Sequence, residues 1–156
     1  MAASQAEILN GLSSEEAASL MALAVRISVP KGGVLFPLGE YADRVFVVES
    51  GCISLTLPMQ IRGNLEDVMI EERMAGETVG WSGLIPPHRF TLKASAPSEA
   101  SLLALPRVAL LEHFAANPAV AARVTRNIAA VIGHRLQVFQ AMWLREMQRT
   151  IDVRYA

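Results

Sequence analysis

The stretch Arg44-Val45-Phe46-Val47-Val48-Glu49-Ser50-Gly51-Cys52-Ile53-Ser54-Leu55-Thr56-Leu57 decides the fold. Two runs of β-branched and aromatic residues, Val45–Val48 and Ile53–Leu57, flank a Ser-Gly pair. Such runs suit a pleated, half-buried surface. Gly51 supplies a positive φ that other residues resist, so the pair predicts a tight hairpin. Reading outward, further short apolar or alternating runs predict strands at Ile27–Val29, Val34–Phe36, Val68–Ile70, Thr78–Val79, Phe90–Leu92 and Leu102–Leu105. Turn residues separate them: Gly39-Glu40, Arg62-Gly63-Asn64, Ala75-Gly76-Glu77 and Pro86-Pro87. Many short strands at a spacing of about ten residues indicate a sandwich, roll or barrel rather than alternating βα units.

Helical signals bracket this region. Ser13 with Glu16 three positions on predicts a capping box and a helix over residues 12–25, with Leu20, Leu23 and Ala24 on one face. Pro30-Lys31-Gly32-Gly33 ends any helix. Pro106 starts a short amphipathic stretch, Val108–Phe114, and Asn117-Pro118 opens a long one, with Asn117 as N-cap and Pro118 at the first helical position. From there to about Thr150 no Pro occurs, and the one Gly is Gly133. A helix of that length exceeds what one small core needs. Ile128, Ile132, Leu136, Phe139, Trp143 and Met147 recur near heptad spacing along it. A seam projecting past a small β domain needs a cover, and a second copy of the helix is the simplest, so a symmetric homodimer is expected. The organisation read here is a β-roll unit over residues 1–117 and a long helix over residues 118–156.

Composition bounds the function. The 156 residues are 52% hydrophobic and 19% charged with net charge −1, which excludes a disordered chain and one built as a whole to coat nucleic acid. The charge is uneven: from Arg123 onward six Arg face only Glu146 and Asp152, which reads as a solvated helix face or as a surface for an acidic partner. No run reaches the roughly 18 apolar residues of a membrane helix, and Glu7 precedes any Lys or Arg, unlike a secretory signal. A soluble cytoplasmic protein with no membrane partner is expected.

The order helix, eight short strands, helix, long helix resembles the effector domain of the cAMP receptor protein / fumarate-nitrate regulator superfamily. Leu35-Phe36 with Gly39-Glu40, Ala42-Asp43, Val45, Val47 and Gly51 resembles that family's first hairpin region. Gly76-Glu77-Thr78-Val79-Gly80 resembles the strand entering the phosphate-binding cassette, Leu92-Lys93-Ala94 the strand leaving it, and Arg135-Leu136-Gln137-Val138 the dimer helix. The resemblance implies a double-stranded β-helix, jelly-roll-like, plus a C-terminal dimerisation helix, in a regulatory domain that binds a small effector and is not an enzyme.

In nucleotide-binding members a Glu after the cassette Gly accepts the ribose 2′-hydroxyl, and an Arg six residues before the strand's Ala pairs with the cyclic phosphate. Here Trp81 follows Gly80, and His88 stands six before Ala94. Arg89 is next door. Strand parity turns it away from the position of His88, whereas a bulge or a repacked Pro86-Pro87 loop would restore it. Phe139 and Gln140 occupy the helix positions at which the resemblance puts two hydroxyl residues near the adenine. What remains is a Gly80-Trp81-Ser82-Gly83-Leu84 turn flanked by His88, Arg89 and Phe90, suited to a diverged aromatic or anionic effector, to a cyclic nucleotide, or to none. Trp81 reads equally as ligand platform or as core filler.

Other chemistries lack their residues. His88, His113 and His134 have no ligand spacing, so no metal is expected. One thiol, Cys52, excludes an iron–sulfur cluster and reads as a small buried filler. Nucleophile and phosphate-loop motifs are absent. Asp152-Val153 resembles the family's hinge to a DNA-binding domain, and no recognition helix follows, so no DNA binding is expected from this chain. Three readings stand: an effector sensor that relays to a separate signalling protein, a ligand-free interaction module, and a sensor fragment of a transcription regulator.

Overall fold

The computed structural model of the chain describes residues 6–155; the outer ends of the two sequence-read units, residues 1–5 and 156, lie outside the described residues. The strands form two four-stranded antiparallel sheets, ordered β1-β8-β3-β6 and β2-β7-β4-β5. β1 is Val25–Val29, β2 Val34–Phe36, β3 Arg44–Ser50, β4 Cys52–Ile61, β5 Asn64–Met74, β6 Thr78–Val79, β7 Lys93–Ser95 and β8 Ala100–Pro106. The helices are α1 (Ser14–Met21), α2 (Arg107–Ala116) and α3 (Pro118–Tyr155).

Two cores share one sheet. β3 alternates so that Phe46 and Val48 enter the roll interior with Phe36, Ile53, Leu55, Phe90 and Leu102. Val45 and Val47 point the other way, into a second core with Leu20, Leu110, Val120, Val124 and Ile128. The period of two along a strand produces this division. α1 starts as read: the Glu16 amide donates to Ser13 Oγ at 3.2 Å, and the Ser13 amide donates to Glu16 Oε2 at 2.8 Å. It is shorter than the 12–25 expectation because Val25 already pairs with Ala104.

Three further expectations change. Gly51 does not close a hairpin: β3 and β4 lie in different sheets, so the chain crosses between sheets there. The positive φ is present, at 76°, and a Cβ at Gly51 would lie 2.5 Å from the Glu99 carbonyl oxygen. The long hairpin is instead β4–β5, turned at Arg62-Gly63. Phe90–Leu92 is not a strand. The Phe90 amide donates to the Glu40 carbonyl and its own carbonyl accepts from Gly39, so this segment bonds to the 39–42 loop and laddering begins at Lys93. Asn117 turns its side chain back, donating to the His113 carbonyl at 3.0 Å at the end of α2. Its own carbonyl still accepts the first bond of α3, from Ala121.

α3 runs 38 residues, close to 57 Å at the helical rise of about 1.5 Å per residue. Its buried residues are Val120, Val124, Ile128, Val131 and Arg135; among the described residues beyond Arg135 none is buried. Among the described residues no helix is long and apolar enough to cross a membrane.

Replacing Gly51 by Ala combines left-handed strain with a backbone overlap. Gly51→Ala is expected to destabilise the domain by about 2 kcal/mol or more in urea unfolding; a change under about 0.5 kcal/mol would remove the close crossing as the reason for glycine.

Candidate functional site

Gly80 follows β6 in the left-handed conformation, φ 75°, and opens the short 3-10 turn Trp81–Gly83. Ser82 and Gly83 are buried. A Cβ on Gly83 would sit 2.4 Å from the Arg44 carbonyl oxygen, so the turn lies directly on β3. The turn itself is where the sequence places it.

The groups around it are arranged differently. Phe90 is buried and its ring stacks on Phe36, centroids 3.6 Å apart and planes within 8°; Phe46 adds a third ring 5.9 Å from Phe36. Apolar side chains thus occupy the roll interior beneath the turn. The cavity left between turn and interior holds about 10 Å³, room for one water. It is lined by Trp81, Ser82, Phe90, Leu92, Leu55 and Arg135 among others. Trp81 is half-buried and packs toward the helical core with Leu84 and Ile132 while it also lines the cavity.

His88 and Arg89 do not line this cavity. His88 takes a positive φ of 57°, with Nδ1 3.0 Å from the Ser82 carbonyl oxygen, so it braces the turn. Arg89 is exposed and donates to the Gly39 carbonyl at 3.0 Å, tying down the 39–42 loop. Phe139 packs against the roll core from α3, and Gln140 is exposed. Space exists on the far side of the Phe36–Phe90 stack, where a cleft of about 480 Å³ is rimmed by Glu40, Tyr41 and Asp43.

Of the helix residues read as a seam, Ile128 is buried in this chain's own second core and Ile132 packs against it. Leu136, Trp143 and Met147 are exposed, at 57%, 62% and 42%. Ala129, Gly133 and Gln140 are exposed as well. Ala129, Gly133, Leu136, Gln140, Trp143 and Met147 step by four, three, four, three and four, so the open heptad edge is rotated from the sequence-read one.

Residue-type reasoning missed the charged group in the cavity wall, Arg135. It is buried and donates from Nε to Glu71 Oε2 at 2.5 Å. Glu71 Oε1 accepts from Arg73 at 2.7 Å, and Arg73, 3% exposed, also pairs with Glu7. Glu77 lies 3.8 Å from Arg73, and the exposed His134 lies 3.7 Å from Glu71. Burial alone would raise the Glu71 carboxyl, but Arg135 and Arg73 beside it hold it below the usual carboxylate range. For Arg73 burial works against the charge, and Glu7, Glu77 and Glu71 outweigh it and raise it further. The signal for Arg135 was its spacing: it lies four residues after Val131 and seven after Ile128, on the buried face of α3. Cys52 is half-buried at the start of β4.

Comparisons with known proteins agree with this architecture. The profile of the cyclic nucleotide-binding domain matches residues 26–117. The N-terminal domain of a transcriptional regulator from Streptomyces coelicolor A3(2) superposes with a TM-score of 0.70 at 26% identity, over 84% of this chain and 89% of that one. Thermus thermophilus catabolite activator protein superposes at 0.75 with 23% identity, over 92% of this chain and 63% of that one. The curated protein named Glutaminase 1 of Bradyrhizobium diazoefficiens is 29% identical over 138 residues, which is 86% of this chain. The chain spans about a fifth of that relative's length.

Because Glu71 is depressed in the folded state, its stabilisation is complete above the ordinary Glu value near 4.3 and is lost as pH falls through the folded value. Wild type is expected to exceed Glu71→Gln by on the order of 3 kcal/mol at neutral pH, with the gap closing below about pH 4 in denaturant melts. A gap that does not change with pH would refute a charged Glu71.

Proposed function

Because this chain belongs to the cyclic nucleotide-binding domain family, we propose that it is a non-enzymatic regulatory module that signals through α3, paired with α3 of a second copy. One observation carries the reading: the last buried residue of α3 is Arg135, and the 20 residues after it, about 30 Å of helix, leave Leu136, Trp143 and Met147 uncovered. Gly133 supports a close helix crossing. A Cβ there would meet nothing within 4 Å in the single chain, so intramolecular packing gives no reason for a residue that costs a helix roughly 1 kcal/mol against Ala.

A second observation favours the interaction-module form of this reading over the nucleotide sensor. The cassette cavity of about 10 Å³ is far below the few hundred Å³ of an ordinary ligand pocket, and Arg89, the candidate phosphate ligand, is committed to the Gly39 carbonyl. The Phe36–Phe90 stack takes the place of an effector inside the roll. We therefore expect no cyclic nucleotide and no other cofactor in the cassette. The receiver of the signal is a second protein or a further domain. The curated relative, in which a segment like this one makes up about a fifth of a protein named a glutaminase, supports a catalytic receiver as readily as a DNA-binding one.

Light scattering on the purified protein is expected to show a dimer, and Trp143→Glu a folded monomer whose melting temperature, unlike that of wild type, does not rise with protein concentration. A monomeric wild type would end the paired-helix reading. Gly133→Ala separates the two roles of that residue. It is expected to weaken the dimer, whereas in a helix without a partner it would stabilise by up to about 1 kcal/mol.

Nucleotide binding is tested by thermal unfolding with millimolar cAMP or cGMP. Ligand at a hundredfold excess over its dissociation constant would raise the midpoint on the order of 5–10 °C. No shift is expected, and a shift of that size would restore the sensor reading.

A further inference from the structure

The cavity beneath the cassette turn has one charged side chain in its wall, Arg135. This guanidinium does not face an empty site. Glu71 of β5 reaches it from within the chain, Oε2 at 2.5 Å from Nε, with both side chains 9% exposed. The carboxylate is shared: its other oxygen accepts from Arg73 at 2.7 Å, and Arg73 in turn pairs with Glu7 in the N-terminal 3-10 turn Glu7–Leu9. Glu7 also accepts the Thr78 amide at 2.5 Å, at the start of β6, which leads directly into the cassette turn. Four charged groups from the N-terminal turn, β5 and α3 therefore form one chain, and Arg135 is the last buried residue of α3.

An isolated buried charge is costly, and removing one member of such a set leaves its partner uncompensated. Each member thus requires α3 to stay where Arg135 meets Glu71. Apolar packing would hold the helix without demanding that one position. An ion pair at the edge of the pocket ties helix placement to the occupancy of a single carboxylate.

We propose that Glu71 is a built-in anionic effector: its carboxylate holds Arg135, and so the exposed half of α3, in the place that a bound ligand would otherwise have to secure, and opening of this pair is the event that releases the helix. The inference rests on the reading that α3 carries the output, and it specifies the regulation of that same site. It accounts for a domain whose cassette is filled by Phe90 yet whose pocket wall retains a buried cation. The groups facing the pair are Arg73, Glu7 and Glu77 on the roll side and His134 on α3.

Hydrogen exchange along α3, read together with chemical rescue, tests the proposal on the full chain. In Glu71→Ala the amides of residues 128–139 are expected to lose about tenfold more protection, or more, than those of β3 and β8, whose loss reports the lower global stability alone. Acetate at about 100 mM, against chloride of equal ionic strength, is expected to recover part of that protection by supplying the missing carboxylate, and to leave wild type unchanged. Wild-type exchange rates in Glu71→Ala, or an acetate response equal in variant and wild type, would overturn the proposal. If Glu71→Ala does not fold, Glu71→Gln replaces it, since it keeps the volume and an acceptor oxygen. Exchange in α3 accelerated beyond that of β3 and β8 is then expected, and an equal change in all three refutes the idea. The mass of each sample is measured in parallel. A monomeric wild type counts against the paired helix alone and leaves the Glu71 comparison readable.

Discussion

Val45, Phe46, Val47 and Val48 form a run of β3 that is buried on both faces, and both cores of the molecule are built on it. A strand in an antiparallel sheet usually keeps one face wet. Here the second face is covered by α1, α2 and the first half of α3, whose apolar residues Leu20, Leu110, Val120, Val124 and Ile128 meet Val45 and Val47. The helices are therefore set by the roll, and the roll is sealed by the helices. The cassette turn is fixed by the same strand, because Gly83 lies so close to the Arg44 carbonyl that no side chain would fit between them.

From that strand the site follows. The turn rests on β3, Phe46 enters the interior beside Phe36, and Phe90 stacks on Phe36 from the segment after the turn. The roll interior beneath the turn is thus occupied by aromatic packing. Stacked rings contribute both buried area and a geometric preference. Beside the turn, His88 Nδ1 lies 3.0 Å from the Ser82 carbonyl oxygen, and Arg89 ties the 39–42 loop through the Gly39 carbonyl.

Charge is handled in a separate place. Glu7, Arg73, Glu71 and Arg135 run from the N-terminal turn to the long helix, and their mutual attraction compensates part of the loss of water around them, with Arg73 Nε left buried without a hydrogen-bond partner. This chain meets α3 at its last buried residue. The helix is consequently divided, with a part up to Phe139 held by apolar packing and one ion pair, and a remainder whose apolar edge is open.

Seven of the eight strand positions, the start of α1 and the long C-terminal helix were legible in the chain, because period-two and period-3.6 patterns, a capping box and Pro-Gly punctuation act over a few residues; Phe90–Leu92, which bonds to the 39–42 loop, was not. The lack of a ribose-binding Glu after Gly80 was equally legible, being a matter of identity at one position. Which strands pair was not. Gly51 looks the same in sequence whether it closes a hairpin or carries the chain from one sheet to the other, since both need a positive φ. Ile128 and Leu136 look alike on a helical wheel, yet one is buried by the roll and the other stands in the open, because only the docking of α3 decides which edge is used. Arg135 and Glu71 are 64 residues apart, and no local pattern announces that they meet. Short-range stereochemistry and residue identity were therefore enough for most of the elements and for the Trp that follows Gly80. The sheet crossing, the Phe36–Phe90 stack and the buried ion chain lay beyond them, because each depends on contacts between distant segments that only folding brings together.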